Sequence, residues 1–288
     1  MAIRSFNEKR LTGEVLYRIR RTKNPRLKQV MASFIRHLHA FVREVRPTQE
    51  EWMKGIQFLT ETGHWCNDAR QEYVLLSDTL GVSMLVDAIN HRFPAGATES
   101  TVFGPFFVEG APAFGMWADL SNGARGTRCY VSGSVRDSGG APIPGAVVDV
   151  WQSDGEAGLY DVQVPGDVRF CRGKVLTDAH GRFGFRTVQP VSYPVPTDGP
   201  VGEMLKRMGR HPMRPAHVHT MVSADGFRRL TTHLFVKGDP YLDSDAVFGV
   251  KESLVVDFVL HQPGPTPDGG RSDEPFSVAS YDFVLARA

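Results

Sequence analysis

Residues 129–151 read CYVSGSVRDSGGAPIPGAVVDVW, two alternating Val-containing runs separated by DSGGAPIPG. Alternation sends successive side chains to opposite faces of a strand, so Cys129 to Val135 and Ala146 to Trp151 each offer an apolar face to a core. The Gly and Pro residues between them mark a turn. The same texture runs on from about residue 100, and further candidate strands are Lys174 to Thr177, Arg182 to Thr187, Ala216 to Val222, Leu230 to Val236, Ser253 to Leu260 and Tyr281 to Leu285. Many short strands without helical patterns between them predict an antiparallel sandwich or barrel. The segment QPGPTPDGGRSDE (262–274) reads as a loop or hairpin excursion before the last strand, and the chain has no internal repeat or low-complexity segment.

Upstream the period changes. Leu27, Val30, Met31, Phe34, Ile35, Leu38, Phe41, Val42 and Val45 follow the three-then-four rhythm of one helix face. Pro47 ends that helix, and Thr48 with Glu51 forms a capping-box pattern for a second one that carries Trp52, Ile56 and Leu59. Asp68 to His91 reads as one further helix or a broken pair. The expected organisation is a helical region over 1–100 and a β-rich region over 101–288.

Composition narrows the function classes. With 288 residues and 41% hydrophobic content the chain can bury a substantial core, and a folded chain rather than a disordered one is expected. Lys plus Arg (33) balances Asp plus Glu (32), which gives no reason to expect nucleic acid or an anionic membrane as partner. The basic stretch Arg18, Arg20, Arg21, Lys23 and Arg26 reads as a solvated face. Three cysteines (Cys66, Cys129, Cys171) are an odd number without metal-type spacing, which argues for a reducing compartment. No apolar run approaches the ~20 residues of a membrane span, and MAIRSFNEKR lacks the apolar stretch of a signal peptide. A cytoplasmic protein is expected.

Among the ten histidines, His217 and His219 in RPAHVHTMV stand out, because a strand sets residues i and i+2 side by side on one face, where a single metal can take both imidazoles. His37 and His39 have the same spacing in a helix, which points them to different sides. Tyr160 in DGEAGLYDVQ and Tyr193 in QPVSYPVPTDGPVG lie in loop contexts outside any alternating pattern. An ordinary half-buried tyrosine accounts for each alone. The β-rich region holds no Cys/His zinc cluster, no Gly-x-Ser-x-Gly elbow and no phosphate-binding Gly loop.

The blocks VFGPFF (102–107), PIPGAVVDVWQSDGEAGLYD (142–161), YPVPTDGPVG (193–202), GRHPMRPAHVH (209–219), LTTHLF (230–235) and GDPYLDSDAVFGVK (238–251) resemble, in order, the intradiol ring-cleavage dioxygenases. The helical front resembles that of the catechol and hydroxyquinol members. The resemblance implies a mainly β fold, an antiparallel prealbumin-like β-sandwich with an N-terminal all-helical dimerisation region. It implies one Fe(III) held by Tyr160, Tyr193, His217 and His219, on which an aromatic diol or triol binds through two oxygens, displaces Tyr193 and reacts with O₂. Arg214 is then the group that steadies negative charge developing on the ring, and His233, a position where catechol enzymes more often carry glutamine, belongs to the same catalytic set. Leu75, Asp78, Val102, Phe103 and Gly104 match segments that line the substrate pocket. A homodimer through the N-terminal helices, with a lipid in an apolar tunnel, follows from the same resemblance.

Bland readings stand beside these: Arg214 as a surface arginine, His233 as a satisfied core histidine, Asp78 as a helix cap. The substrate the resemblance leads us to expect is hydroxyquinol, with catechol or a chlorocatechol as the alternative within the class. Outside it, VSGSVRDSGGAPIPGAVVDVWQSDG also resembles non-catalytic prealbumin-like binding modules.

Overall fold

The computed structural model describes residues 7–67 and 70–288. The start of the third expected helix at Asp68, and MAIRSF of the N-terminal stretch, lie outside the described residues. The chain forms two compact units, residues 1–61 and 62–288.

The first unit is helical: α1 (Leu11–Ile19), α2 (Pro25–Val45) and most of α3 (Gln49–His64). Helix α2 starts where Asn24 Oδ1 accepts the Leu27 amide at 3.0 Å, with Pro25 in the first turn, whose missing amide costs nothing there. The capping box of α3 is formed in both directions, Thr48 Oγ1 accepting from the Glu51 amide at 3.2 Å and Glu51 Oε2 from the Thr48 amide at 2.8 Å. Helix α1 has no counterpart in the sequence reading. Within this unit Leu27, Phe34, Leu38, Phe41 and Val45 of α2 are exposed, with only Ile35 of that helix buried.

The second unit begins with α4 (Glu72–Thr79) and α5 (Val82–Asn90), a broken pair interrupted at Gly81, whose φ of 73° ends the first helical run. The strands follow as β1 (Ala113–Phe114), β2 (Ala118–Asp119), β3 (Arg128–Asp137), β4 (Val147–Gln152), β5 (Arg172–Leu176), β6 (Arg182–Val188), β7 (Tyr193–Pro194) and β8 (Met213–Arg214). The remainder are β9 (His217–Ser223), β10 (Leu230–Val236), β11 (Val255–Val256), β12 (Val259–His261), β13 (Gly264–Pro265), β14 (Arg271–Ser272), β15 (Phe276–Ser280) and β16 (Phe283–Leu285). A short helix, α6 (Pro200–Arg207), interrupts them between β7 and β8.

One sheet has the order β1-β5-β4-β9-β10-β11 and the other β12-β15-β3-β6-β2, with β16 also on β3. The antiparallel expectation is only partly right. The long central pairings β3/β6, β4/β5, β4/β9 and β9/β10 are antiparallel, whereas β1/β5, β2/β6, β10/β11, β3/β15 and β3/β16 are parallel. A tight turn dictates direction only between strands it joins within one sheet, and strands added after long excursions are free of that constraint. The segment from Asp137 to Gly145 illustrates the point in a different way: DSGGAPIPG first turns back on the end of β3, with Arg136 and Pro142 in an antiparallel bridge, and then carries the chain to β4 in the other sheet rather than pairing β3 with β4. The 262–274 excursion does form a hairpin, β13 with β14.

Both sheets feed one apolar core. Val131, Phe183, Phe185 and Phe283 come from one sheet and Val148, Val150, Val218, Val222 and Leu234 from the other. Period 2 then leaves Trp151, His217, His219 and His233 on the opposite face of the second group. That face also carries Asp149, which is 2% exposed, with no hydrogen bond to either carboxylate oxygen and Lys174 Nζ 3.8 Å away. Burial, only partly opposed by Lys174, pushes this carboxyl up to about 6. The folded state therefore favours the protonated acid. That contribution is complete below the ordinary value of 3.8 and is lost as pH rises through about 6. Asp149→Asn is expected to stabilise the protein by on the order of 1–3 kcal/mol at pH 8, from ~1.4 kcal/mol per pKa unit, and to gain nothing at pH 4. Melting curves at the two pH values check it; equal gains at both would point to a packing effect. Cys129 and Cys171 are buried and unpaired, and burial pushes both thiols up to about 12.

Candidate active site

Strand β9 aims His217 and His219 to one side, as the i, i+2 spacing predicts, while Val218 and Val222 enter the core. Across the ladder, Trp151 and His233 stand opposite His219. The Trp151 ring stacks on His219 with centroids 4.8 Å apart, and His233 stacks on His217 at 4.6 Å. These rings fix one another's orientation.

Tyr160 follows β4 through a loop that Asp154 organises: its Oδ1 accepts from the amides of Ala157 at 2.8 Å and Gly158 at 2.7 Å. Gly158 has φ 70°, and a Cβ there would meet Tyr193 Cβ at 2.7 Å, so glycine is required on both counts. Gln163 Oε1 accepts the Tyr160 amide at 2.9 Å, and Phe106 packs on the Tyr160 ring at 4.4 Å. Beneath it Arg172 and Asp161 form a buried two-bond pair (2.9 and 2.6 Å), and Arg172 also donates to Phe106 O at 2.8 Å. Tyr193 and Arg214 are partners in the two-stranded ribbon β7/β8, which brings their side chains together.

These elements bring four donor atoms into one buried cluster. Tyr160 Oη lies 3.2 Å from Tyr193 Oη and 3.5 Å from His217 Nε2, and His217 Nε2 lies 3.1 Å from His219 Nε2. Donors ~2.1 Å from a common ion at 90–110° stand roughly 3.0–3.4 Å apart, so the cluster has the dimensions of a metal centre. His217 Nδ1 is 2.7 Å from the Pro215 carbonyl, which accepts only; Nδ1 carries the proton and Nε2 presents its lone pair. Burial, then Arg214, pushes His217 down to about 3, and burial, then His217, holds His219 well below its ordinary range. Both imidazoles are neutral, the form that ligates. Burial, then the neighbouring Tyr193, raises the Tyr160 phenol well above its ordinary range. Only a nearby cation would make it a phenolate. His219 Nδ1 is buried without a hydrogen-bond partner. His217, His219 and His233 also bring one nitrogen each within 4.8 Å of one another.

Arg214 is 3% exposed and points Nη1 at the cluster, 3.2 Å from His217 Nε2 and 3.5 Å from Tyr193 Oη. It is no surface arginine. Against the burial that opposes it, Asp245 and Tyr193 raise its pKa, so it is charged throughout. Asp245 in turn lies below the usual carboxylate range because Arg214 outweighs the effect of burial.

Beside the cluster lies a pocket lined by Leu75 and Asp78 of α4, Val102, Gly104, Pro105, Phe106, Tyr193, Val195, Pro196, Arg214 and Val247, with Arg70, Gln71 and Glu72 also in its wall. Its wall is mostly apolar. Asp78 is 7% exposed, and burial raises its carboxyl despite Ser83 and Arg214. Gly104 has φ 75°, and a Cβ there would lie 2.9 Å from His219 Cε1. Phe103 is not in this wall: the turn at Gly104 sends its ring to Phe107 at 4.9 Å and Trp151 at 5.8 Å. Sequence reasoning missed Trp151, the Asp161–Arg172 pair and Asp245, although all but Arg172 fall inside quoted blocks. It also missed Glu72, fully buried and accepting from the Val201 amide at 3.1 Å.

Comparison with known proteins gives a consistent picture. Residues 102–287 match the family profile described as Dioxygenase, and residues 24–98 that described as Catechol dioxygenase N terminus. A hydroxyquinol 1,2-dioxygenase of a Rhizobium species is 51% identical over 286 residues, covering 98% of this chain and 96% of the relative. A 6-chlorohydroxyquinol 1,2-dioxygenase of Cupriavidus pinatubonensis is 52% identical over 263 residues, 91% of this chain and 95% of the relative. The crystal structure of a hydroxyquinol 1,2-dioxygenase from Pseudomonas putida superposes with a TM-score of 0.91 at 48% identity, covering 98% of this chain and 99% of that one.

Proposed function

The chain belongs to the intradiol ring-cleavage dioxygenases, and from that premise we propose that it opens hydroxyquinol (benzene-1,2,4-triol) with O₂ to 3-hydroxy-cis,cis-muconate, which ketonises to maleylacetate. The observation that carries the reading is the meeting of two phenols and two imidazoles in one buried cluster, beside an apolar pocket whose wall holds the carboxylate of Asp78.

The donor set fits Fe(III): phenolate is a hard anionic oxygen donor, and two phenolates with one hydroxide balance three positive charges while imidazoles complete the site. Tyr160, Tyr193, His217 and His219 would hold it. When bound, Fe(III) supplies Lewis acidity and a template for two adjacent substrate oxygens. Tyr193 Oη, on the short ribbon at the pocket wall, would as the phenolate that helps hold the ion take a proton from the incoming diol and leave as a neutral phenol. Arg214 Nη1 faces the same point and stabilises negative charge as it develops on the ring. His233, stacked on His217, holds that ring in place and bounds the cluster on the β10 side. Leu75, Val102 and Gly104 exclude water from the ring's faces, and Phe103 acts one layer back through Trp151.

Hydroxyquinol has a third hydroxyl that needs a polar partner, and Asp78 is that acceptor. A hydrogen bond to a charged group contributes ~1.5–3 kcal/mol, which corresponds to a roughly tenfold to hundredfold preference over catechol. Oxygen uptake on a panel of diols is expected to give that order in kcat/KM, and Asp78→Ala to narrow the gap at unchanged iron content. A wild-type preference for catechol or a chlorocatechol would overturn the substrate and leave the ring opening in place.

The catalytic region is taken as residues 101–288, a prealbumin-like sandwich, with the helical region 1–100 serving dimerisation. Support for a homodimer through these helices comes from the exposed apolar residues of α2, which also suit an acyl chain of a bound lipid. Among the described residues no helix is long and apolar enough to cross a membrane. A cytoplasmic location is supported by the three cysteines, all of them free thiols.

A further inference from the structure

We propose that Asp245 is the positioning residue for Arg214, holding the guanidinium so that Nη1 alone faces the reacting centre and keeping it from pairing with Asp78. The inference rests on the function proposed above and deepens it. Arginine carries a long, flexible stem, and its fork is useful at a site only when something fixes its plane. Here Nε donates to Asp245 Oδ1 at 3.1 Å and Nη2 to Oδ2 at 3.3 Å, so two of the three guanidinium nitrogens are engaged away from the cluster. Nη1 is left, 3.2 Å from His217 Nε2 and 3.5 Å from Tyr193 Oη.

The carboxylate is itself held. Its Oδ2 accepts the Gly249 amide at 2.9 Å and its Oδ1 the Val247 amide at 3.3 Å. The same loop is tied to the arginine's strand, since the Ala246 amide donates to Met213 O at 3.1 Å. Gly249 completes the clamp. A Cβ at that position would lie 3.1 Å from Arg214 Nη2, 3.1 Å from Asp245 Oδ2 and 3.2 Å from Thr101 Oγ1, which donates to Gly249 O at 2.6 Å. The backbone thus closes directly over the ion pair. Asp78 lines the same pocket as Arg214, so a second carboxylate is available to a guanidinium that is not restrained. Were Arg214 to turn to Asp78, the pocket would lose both its charge stabiliser and its acceptor for the third hydroxyl.

The test uses the full-length, iron-loaded enzyme. Asp245→Asn is expected to lower kcat by roughly tenfold to hundredfold, less than the ~100- to 1,000-fold of losing a preorganised donor outright because the arginine is still present, while KM and the anaerobic dissociation constant for hydroxyquinol move less than about threefold. Iron content and the visible absorption expected of a tyrosinate-bound ferric ion should not change. In an Arg214→Ala background the same substitution should cost nothing further, because a residue that acts through Arg214 has nothing left to position. Additive losses would overturn the proposal, as would a fall confined to KM. Should Asp245→Asn fail to fold, Gly249→Ala keeps both charges and shifts the pair by a few tenths of an ångström; it should slow kcat at unchanged iron content, and wild-type kcat in this variant would count against positioning. The two levels separate cleanly. Wild-type turnover in Arg214→Ala sinks the function assigned to the arginine, whereas a slow Arg214→Ala with an unaffected Asp245→Asn sinks only the role of Asp245.

Discussion

Tyr160→Phe is expected to abolish the tyrosinate-to-iron colour for the most part and to lower iron affinity and turnover by at least ~100-fold, the upper end of what even outer-shell changes cost at metal sites. The substitution is clean because the ring does the packing and the oxygen does the chemistry. Phe106 lies against the ring at 4.4 Å and Tyr193 meets it edge-on at 5.4 Å, contacts that phenylalanine keeps. What disappears is one oxygen at the centre of the cluster, 3.2 Å from Tyr193 Oη and 3.5 Å from His217 Nε2. Without iron, that buried hydroxyl has only long partners, so the metal-free variant should melt no lower than the metal-free wild type. Metal analysis, the visible spectrum and a melting curve read the three effects separately. If Tyr160→Phe and Tyr193→Phe both leave the spectrum untouched, the donor assignment is wrong.

Arg214→Ala comes next in size, with turnover down by ~100-fold and iron and colour retained. A second effect follows from burial. Asp245 is 5% exposed, and removing its partner leaves a buried carboxylate with only backbone donors. Breaking such a pair costs ~3–5 kcal/mol. The variant should therefore melt well below wild type, and removing the second charge as well, in Arg214→Ala with Asp245→Asn, should recover part of that loss without recovering turnover. Turnover and stability thus move apart. A variant that lost its iron, or turned over like wild type, would assign Arg214 another task.

Period and punctuation made much of this molecule legible. The alternation in CYVSGSV and AVVDVW gave two strands, and the helical rhythm read from Leu27 to Val45 marked a helix that in the structure runs from Pro25 to Val45. The His217/His219 pair was readable because a strand places i and i+2 together whatever the rest of the fold does. Direction was less so: nothing in FSVAS or FVL states that β15 and β16 run parallel to β3, since that depends on long connections. The short helices α1 and α6 carry too few turns for a period to declare itself. The tyrosines came from resemblance rather than spacing, as Tyr160 in its loop and Tyr193 on the two-residue strand β7 meet β9 only after the chain has folded. Asp245 is the instructive omission. In LDSDAV it looks like any acidic loop residue, and only burial against Arg214 distinguishes it from Asp243 two positions earlier.

The glycines at 104, 158 and 249 have one further consequence, for how this pocket can change over evolutionary time. Gly104 is itself part of the wall, and a Cβ at any of the three would collide with or crowd His219, Tyr193 or Arg214, so none of these positions can gain a side chain without displacing a residue of the site. The adaptable part of the wall is where Leu75, Asp78, Val102 and Val247 present side chains to the cavity. Drift toward new ring substituents is therefore channelled through α4 and its neighbours. Saturation mutagenesis should find tolerated, specificity-shifting alleles there and almost none at the three glycines.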